Sequence, residues 1–263
     1  MNSMLVKIYK ILTMFGLDLV KMIRSIRGVP YYCRNLILLK KQERLSEKKI
    51  PFAFVYPCLD DRFSESGKAK GHYFYQDLLV ARKVYHNKPV KHVDIGSRVD
   101  GFVAHIAAFR EIEVFDIRPL SSSINGIQFK QVDLMRDDLE VSEYCDSLSS
   151  LHAVEHFGLG RYGDSVCYDG YLSGLESMNK ILQKGGKFYF STPIGPQRIE
   201  FDAHRVFSIE YLLELFRDKY MIDSFSYVDD RGDFYEDVKI DKENLKNNFG
   251  CVYGCGIFEM TKL

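Results

Sequence analysis

From Val90 onward, short runs rich in β-branched and aromatic residues alternate with longer stretches of helical spacing, and no other feature of the chain narrows its fold as much. The strand-like runs are VKHVDI, EIEVFDI, GIQFKQVDL, SLSSLH and GKFYFST, the last after a Gly185–Gly186 turn. The helix-like stretches are HYFYQDLLVARKVY from His72, FVAHIAAFR, YDGYLSGLESMNKIL and SIEYLLELFRD. Strands joined through helices lie parallel, and the helices cover both faces of the sheet. Two closing runs, MIDSFSYV and CVYGCGIFEM, are separated by a polar loop alone and are expected to pair as an antiparallel edge. The 263 residues suit one large α/β domain with an extension, and no internal repeat is visible.

Formal neutrality, with 36 basic and 36 acidic residues, hides a split. Residues 1–50 carry eleven basic against three acidic side chains, leaving 25 basic and 33 acidic on the rest. A nucleic-acid face on the main body is therefore not expected, because polyanion binding needs clustered Lys and Arg. Residues 1–49 read as a basic helical extension and residues 50–263 as the domain proper. Within the extension Met4, Ile8, Ile11, Phe15, Leu19, Met22 and Ile26 form an apolar stripe, with Lys7, Lys10, Lys21 and Arg24 on another face. Lys10, Asp18 and Lys21 interrupt the apolar run too early for a spanning helix, and no signal-peptide pattern is present. Peripheral contact with an anionic membrane surface is one expectation, docking on the domain or on a second subunit the other. Six cysteines without C-x-x-C spacing fit a reduced, cytoplasmic protein, and Cys251 and Cys255 are expected to pack rather than to react.

In an open parallel sheet a ligand sits beyond the carboxyl ends of the strands. The first strand ends in VDIGSRVDG, where Gly96 allows a tight turn and close approach of the backbone. Arg98 stands at the second position of a dinucleotide fingerprint, so a nicotinamide cofactor is disfavoured, and no Tyr-x-x-x-Lys pair supports a dehydrogenase. Asp116 ends the second strand, twenty residues after Gly96, where a carboxylate can accept both ribose hydroxyls; Asp133 ends the third and can face an adenine amino group.

At these residues the chain resembles the S-adenosylmethionine-dependent methyltransferases, with Asp94 and Gly96 in the first motif, Asp116 as the ribose acid and Asp133 as the adenine-side acid. The resemblance implies a Rossmann-like seven-stranded mostly parallel sheet with an antiparallel last strand. It also implies S-adenosylmethionine as cofactor. More narrowly, GHYFYQDLLVA, HVDIGSRVDGFVAHIAAF, FDIRPL and LHAVEHFGLGRYGD look like a largely uncharacterised methyltransferase-like family, from Pro51 to the C-terminus. Its members are similar to proteins encoded near surface-polysaccharide genes, which implies a sugar or glycan acceptor. Tyr73, Gln76 and Asp77 are expected to close over the cofactor, and Arg161, Tyr162 and Asp164 to meet polar substrate groups.

After the fourth strand comes His152-Ala-Val-Glu155-His156. An inverted zinc-peptidase helix is disfavoured, because Gly158 and Gly160 follow at once. Asp146 with His156 ten places later is similar to the fourth-strand motif of ubiquinone-pathway and small-RNA 2′-O-methyltransferases. Some of those hold a divalent cation with E-x-x-E-H and a later histidine. The resemblance carries metal-ligand roles onto His152, Glu155, His156 and His204, a set suited to Zn²⁺, Mn²⁺ or Fe²⁺ better than Mg²⁺. Without a metal, His156 is the expected general base and Glu155 its orienting partner. The alternative is a non-catalytic module that kept the fold and is recruited to a membrane-associated polysaccharide assembly. Fold alone does not choose between them.

Overall fold

A computed structural model describes residues 9, 12–48, 50–53, 55–136 and 141–263. The chain divides into two compact units, residues 1–68 and 69–263, so the proline-bounded segment after Ile50 and the polar loop as far as Lys68 group with the N-terminal helix and not with the sheet.

In the first unit, helix α1 (Leu19–Leu45) starts at Asp18, whose carboxylate caps the Lys21 amide at 3.0 Å. Gly16, at φ +79°, and the turn around it end a preceding helical segment, so the expected stripe through Phe15 to Ile26 is broken there. Met4, Lys7, Ile8, Lys10 and Ile11 lie outside the described residues. Gly28 faces the returning segment so closely that a Cβ would meet the Leu59 carbonyl oxygen, and the Arg62 guanidinium lies 4.3 Å above the Tyr31 ring. No described helix is long and apolar enough to cross a membrane.

The second unit opens with α2 (His72–Asn87), whose buried positions Gln76, Asp77, Leu79, Val80, Ala81 and Val84 recur at helical spacing. Then follow β1 (His92–Ile95), a kinked turn over Val99–Val103, α3 (Ala104–Ala107), β2 (Ile112–Asp116), β3 (Ile127–Gln131) and β4 (Cys145–Leu151). Next come α4 (Gly170–Ile181), β5 (Leu182–Ile194), the hairpin β6 (Arg198–Glu200) with β7 (His204–Val206), and α5 (Ile209–Phe216). The chain closes with β8 (Tyr220–Val228), β9 (Phe234–Tyr235), α6 (Lys242–Lys246) and β10 (Gly254–Lys262).

The main sheet runs β3-β2-β1-β4-β5-β10-β8-β9. β3, β2, β1, β4 and β5 are mutually parallel, and β10 is antiparallel to both β5 and β8. This is the expected mixed α/β sheet with an antiparallel last strand, but with eight strands rather than seven, because the two-residue β9 pairs with β8. Two apolar layers sandwich it. Phe188 and Phe190 of β5 pack under α4 and α5 with Met178, Leu212 and Phe216, whereas Tyr189 points to the opposite face and joins Leu79, Val80, Phe102 and Ile106.

One expectation is corrected. FVAHIAAFR forms only the four-residue α3 after a kink at Gly101, where an added Cβ would approach the buried Asp77 carboxylate to 2.6 Å. Residues 117–126, between β2 and β3, contain no helix, in line with the absence of helical spacing there.

Candidate functional site

The carboxyl ends of β1 to β4 open on a cleft of about 290 Å³. Gly96, Phe115, Asp116, Asp133, His152 and His156 line it, together with Tyr73 from α2 and Tyr162 and Asp164 from the loop after β4. Topology explains the gathering. The order β3-β2-β1-β4 places four consecutive strand ends side by side, with the reversal of strand order between β1 and β4.

The floor is fixed by buried polar contacts. Asp94, fully buried in β1, accepts from Ser149 Oγ at 2.5 Å, Ser97 Oγ at 2.6 Å and the Ser97 amide at 3.0 Å. Burial pushes its carboxyl up to about 7 against those donors. Asp94 therefore braces the β1 turn and does not line the cleft. Gly96 turns at φ +70°, its amide donates to the Phe115 carbonyl at 2.9 Å, and a Cβ there would stand 3.0 Å from Ala153 Cβ.

Arg98 does not obstruct this turn. Its backbone has an ordinary φ of −68°, and its guanidinium is turned to Asp100 at 2.7 Å. A second arginine alters the ribose expectation. Arg118 grips Asp116 through its amide at 2.8 Å, Nε at 3.1 Å and a terminal nitrogen at 2.6 Å, and its guanidinium lies 4.5 Å above the Tyr162 ring. A diol at Asp116 would have to share or displace that side chain. Asp133 caps the Met135 amide at 3.0 Å, and Phe115, Ile117, Val132 and Leu134 form an apolar wall beside it.

Of the α2 residues expected here, Tyr73 lines the cleft, with its ring 5.2 Å from that of His152. Gln76 and Asp77 do not: Gln76 Oε1 accepts from Ser191 Oγ at 2.6 Å, and its Nε2 donates to Asp77 Oδ1 at 3.1 Å. Asp164 spends its carboxylate on the amides of Gly158, Gly160 and Tyr162, shaping the loop, and Arg161 donates to the Ala203 carbonyl at 2.9 Å. Asp146, at the opposite end of β4, holds the Val90 and Lys91 amides at 2.7 Å each.

The HAVEH segment is a single tight turn over Val154–His156, not a helix, so its side chains diverge. His152 sits at φ +52°, a left-handed conformation unusual for a side-chain-bearing residue. Its Nδ1 meets Glu155 Oε1 at 2.7 Å, whereas His156 Nε2 is 3.9 Å from that oxygen. Glu155 thus orients His152 and not His156. Burial would raise the Glu155 carboxyl, but the adjoining His152 outweighs it and holds it below the ordinary range. His156 is positioned instead by the Ala203 carbonyl, 2.7 Å from its Nδ1, and burial lowers its pKa. His204 has Glu200 at 3.6 Å from its Nε2, and its ring lies 6.4 Å from that of His156.

The four expected metal ligands are consequently not gathered around one point. Among the described residues the one group of three ligand atoms close enough for an ion is His72, His152 and Cys255. Sequence reading missed His72 and Cys255, because their relation to His152 is created only by the sheet order, which sets β10 one strand beyond β5 from β4, and by the packing of α2 on that face.

Solved structures share this architecture at low identity. The Burkholderia thailandensis 1,6-didemethyltoxoflavin-N1-methyltransferase, with bound 1,6-didemethyltoxoflavin and S-adenosylhomocysteine, has 14% identity and a TM-score of 0.51, covering 71% of this chain and 78% of that one. The [4+2]-cyclase SpnF has 14% identity and a TM-score of 0.51, covering 72% of this chain and 80% of that one. Both show the Rossmann-like methyltransferase fold, and neither fixes a reaction for this chain. No curated protein sequence matches it. Residues 111–250, which run from β2 through the cleft loops to the turn before β10, match the family described as "Caenorhabditis protein of unknown function, DUF268"; more than half of the chain is covered, and the protein belongs to that family.

Proposed function

We propose that the protein is an S-adenosylmethionine-dependent O-methyltransferase acting on a sugar or glycan intermediate. The observation that carries this reading is the cleft itself, with Gly96, Asp116 and Asp133 at three successive strand ends and His156 on the fourth connection. The residues fit the cofactor. The backbone at Gly96 can approach a ligand closely, Asp116 offers a carboxylate to a ribose, and the wall of Phe115, Ile117, Val132 and Leu134 suits the face of an adenine. S-adenosylhomocysteine in the Burkholderia methyltransferase supports the same choice.

S-adenosylmethionine, when bound, supplies an electrophilic sulfonium methyl group. The chain's part is to position the acceptor and take its proton as the new bond forms. His156 suits the second task. With Nδ1–H donated to the Ala203 carbonyl, Nε2 keeps its lone pair, and burial favours the neutral imidazole. Asp94 and Glu155 act as positioning residues, through the β1 turn and through His152 respectively.

The proposed function extends to α1, which is proposed to lie on an anionic membrane surface. α1 carries Lys21, Arg24 and Arg27 beside exposed Met22, Ile23 and Ile26, a composition suited to an anionic lipid surface. One observation favours the non-catalytic alternative: Arg118 already satisfies the Asp116 carboxylate. Calorimetric titration of the full chain with S-adenosylhomocysteine separates these readings. Absence of heat and of any thermal shift at millimolar ligand overturns the cofactor assignment. Binding without methyl transfer to any glycan fraction of the native host favours the alternative. Charge reversal at Lys21, Arg24 and Arg27 is expected to reduce co-sedimentation with anionic vesicles.

A further inference from the structure

We propose that His72, His152 and Cys255 form a zinc-binding site. His72 is the first residue of α2, His152 follows β4 and Cys255 lies in β10, so a single ion would tie together three elements distant in sequence. One ligand atom from each residue lies within 4.8 Å of the other two. Tetrahedral zinc, with bonds of about 2.0–2.1 Å to nitrogen and about 2.3 Å to sulfur, needs these atoms roughly 3.4–3.6 Å apart. Closing that gap, and turning the two parallel imidazole planes so that both nitrogens face one ion, takes side-chain rotation of His72 and His152 on binding.

Three features aim the cluster at a cation. His152 commits Nδ1 to Glu155 at 2.7 Å, and its Nε2 is buried with no hydrogen-bond partner. An orphaned buried nitrogen is costly, and a ligand bond removes that cost. The Glu155–His152 pair is the carboxylate–histidine arrangement that fixes the tautomer of metal-bound imidazoles and raises their basicity. The His152 backbone is held at φ +52°, a conformation whose cost is commonly borne at functional sites. His72 stacks on His152, with ring centroids 5.3 Å apart and planes at 8°, which brings the second imidazole to the site.

Donor chemistry selects the ion. One thiolate and two imidazoles favour Zn²⁺ over Mg²⁺ or Ca²⁺, which take oxygen. No fourth His, Cys, Asp or Glu among the described residues joins the group, so the last position belongs to a water molecule or a heteroatom of a bound molecule. Binding releases the thiol proton of Cys255 to solvent as the sulfur–zinc bond forms. The site does not rest on the cofactor reading, since neither Asp116 nor His156 is a ligand, although His152 also lines the cleft.

The test is cobalt substitution in the untagged full chain, stripped with a chelator and titrated with Co²⁺. The expected result is one Co²⁺ per chain, a sulfur-to-cobalt charge-transfer band, intense four-coordinate visible bands, and displacement by Zn²⁺. Cys255→Ser should abolish the charge-transfer band and weaken binding by about 100-fold or more, since the thiolate is one of only three protein ligands. Glu155→Gln should keep the band but weaken binding about 10–100-fold, as expected for loss of a supporting carboxylate. Cys58→Ser, at an exposed thiol in the other unit, should change nothing. Cys255 is fully buried in the folded chain, so the measure on the unmutated chain is alkylation in urea through the unfolding transition, where Zn²⁺ should protect Cys255, read by peptide mass. A chain with no sulfur-to-cobalt band and no protection overturns the proposal and leaves an imidazole–thiol pair without a metal. A band that survives Cys255→Ser overturns it too.

Discussion

Replacement of Gly96 by alanine tests whether the β1 turn is as constrained as its geometry implies. Two separable terms oppose the new methyl group. At φ +70° a residue with a Cβ costs about 1–2 kcal/mol. The Cβ would also lie 3.0 Å from Ala153 Cβ, and forcing such a contact in a packed site costs about 1–2 kcal/mol more. Relief by moving the loop is restricted, because the Gly96 amide is bonded to the Phe115 carbonyl and the following Ser97 is bonded twice to Asp94. The total of about 3 kcal/mol corresponds to a melting temperature lowered by roughly 6–12 °C for a unit of this size. Calorimetry on Gly96→Ala, Ala153→Gly and the double variant divides the two terms. Ala153→Gly removes the atom that clashes but not the backbone penalty, so the double variant should regain about 1 kcal/mol relative to additivity. S-adenosylhomocysteine affinity, by titration, should fall in Gly96→Ala and recover partly in the double variant. If Gly96→Ala melts with the parent chain, the turn is not constrained and the reasoning fails.

Two further outcomes follow from buried titrating groups. Burial, opposed by the Ser149 and Ser97 donors, raises the Asp94 carboxyl to about 7. The folded chain therefore keeps a proton that the unfolded chain releases near pH ~4, and stability falls as pH rises between about 4 and about 7. In urea denaturation across that interval Asp94→Asn should show a shallower fall than the parent; equal slopes contradict the assignment. His156 should titrate below the ordinary imidazole range when followed by the proton resonance of its ring carbon, because burial outweighs the nearby Glu155 charge. A midpoint at or above that range would remove the argument for a neutral base near neutral pH.

The parallel sheet and the end on which its cleft opens were legible because they depend on local pattern. Strand runs ending in Gly96, Asp116 and Asp133 declare themselves through period and composition, and topology then brings their ends together whatever the helices do. The shortening of FVAHIAAFR to the four-residue α3 was hidden, since the kink at Gly101 is set beside the buried Asp77 carboxylate of another helix. Side-chain partners were hidden more deeply. HAVEH is equally compatible with Glu155 turned to His152 or to His156, and only the left-handed backbone at His152 decides it. Arg118 reads as an ordinary charged loop residue until its fork closes on the carboxylate two positions earlier. Cys255, expected to pack as a small hydrophobe, does lie in the core, but the core at that point contains imidazoles.

His152 joins the two proposals physically. It lines the cleft through the face beside Tyr73, and it belongs to the cluster with His72 and Cys255. Zinc at the cluster would fix the His152 ring and, through Ala153, the segment packed against Gly96. Loaded and metal-free chains should therefore bind S-adenosylhomocysteine with different affinities. Coupling between such sites usually lies within about 1–3 kcal/mol, or roughly 5–150-fold. Linkage requires that S-adenosylhomocysteine change the zinc affinity by the same factor and in the same direction. Both legs can be measured, one by calorimetry at saturating and at zero zinc, the other by competition against a chromophoric chelator with and without S-adenosylhomocysteine. Affinities indifferent to zinc would mean that His152 presents the same surface to the cleft in both states, and the shared residue would then be an accident of packing.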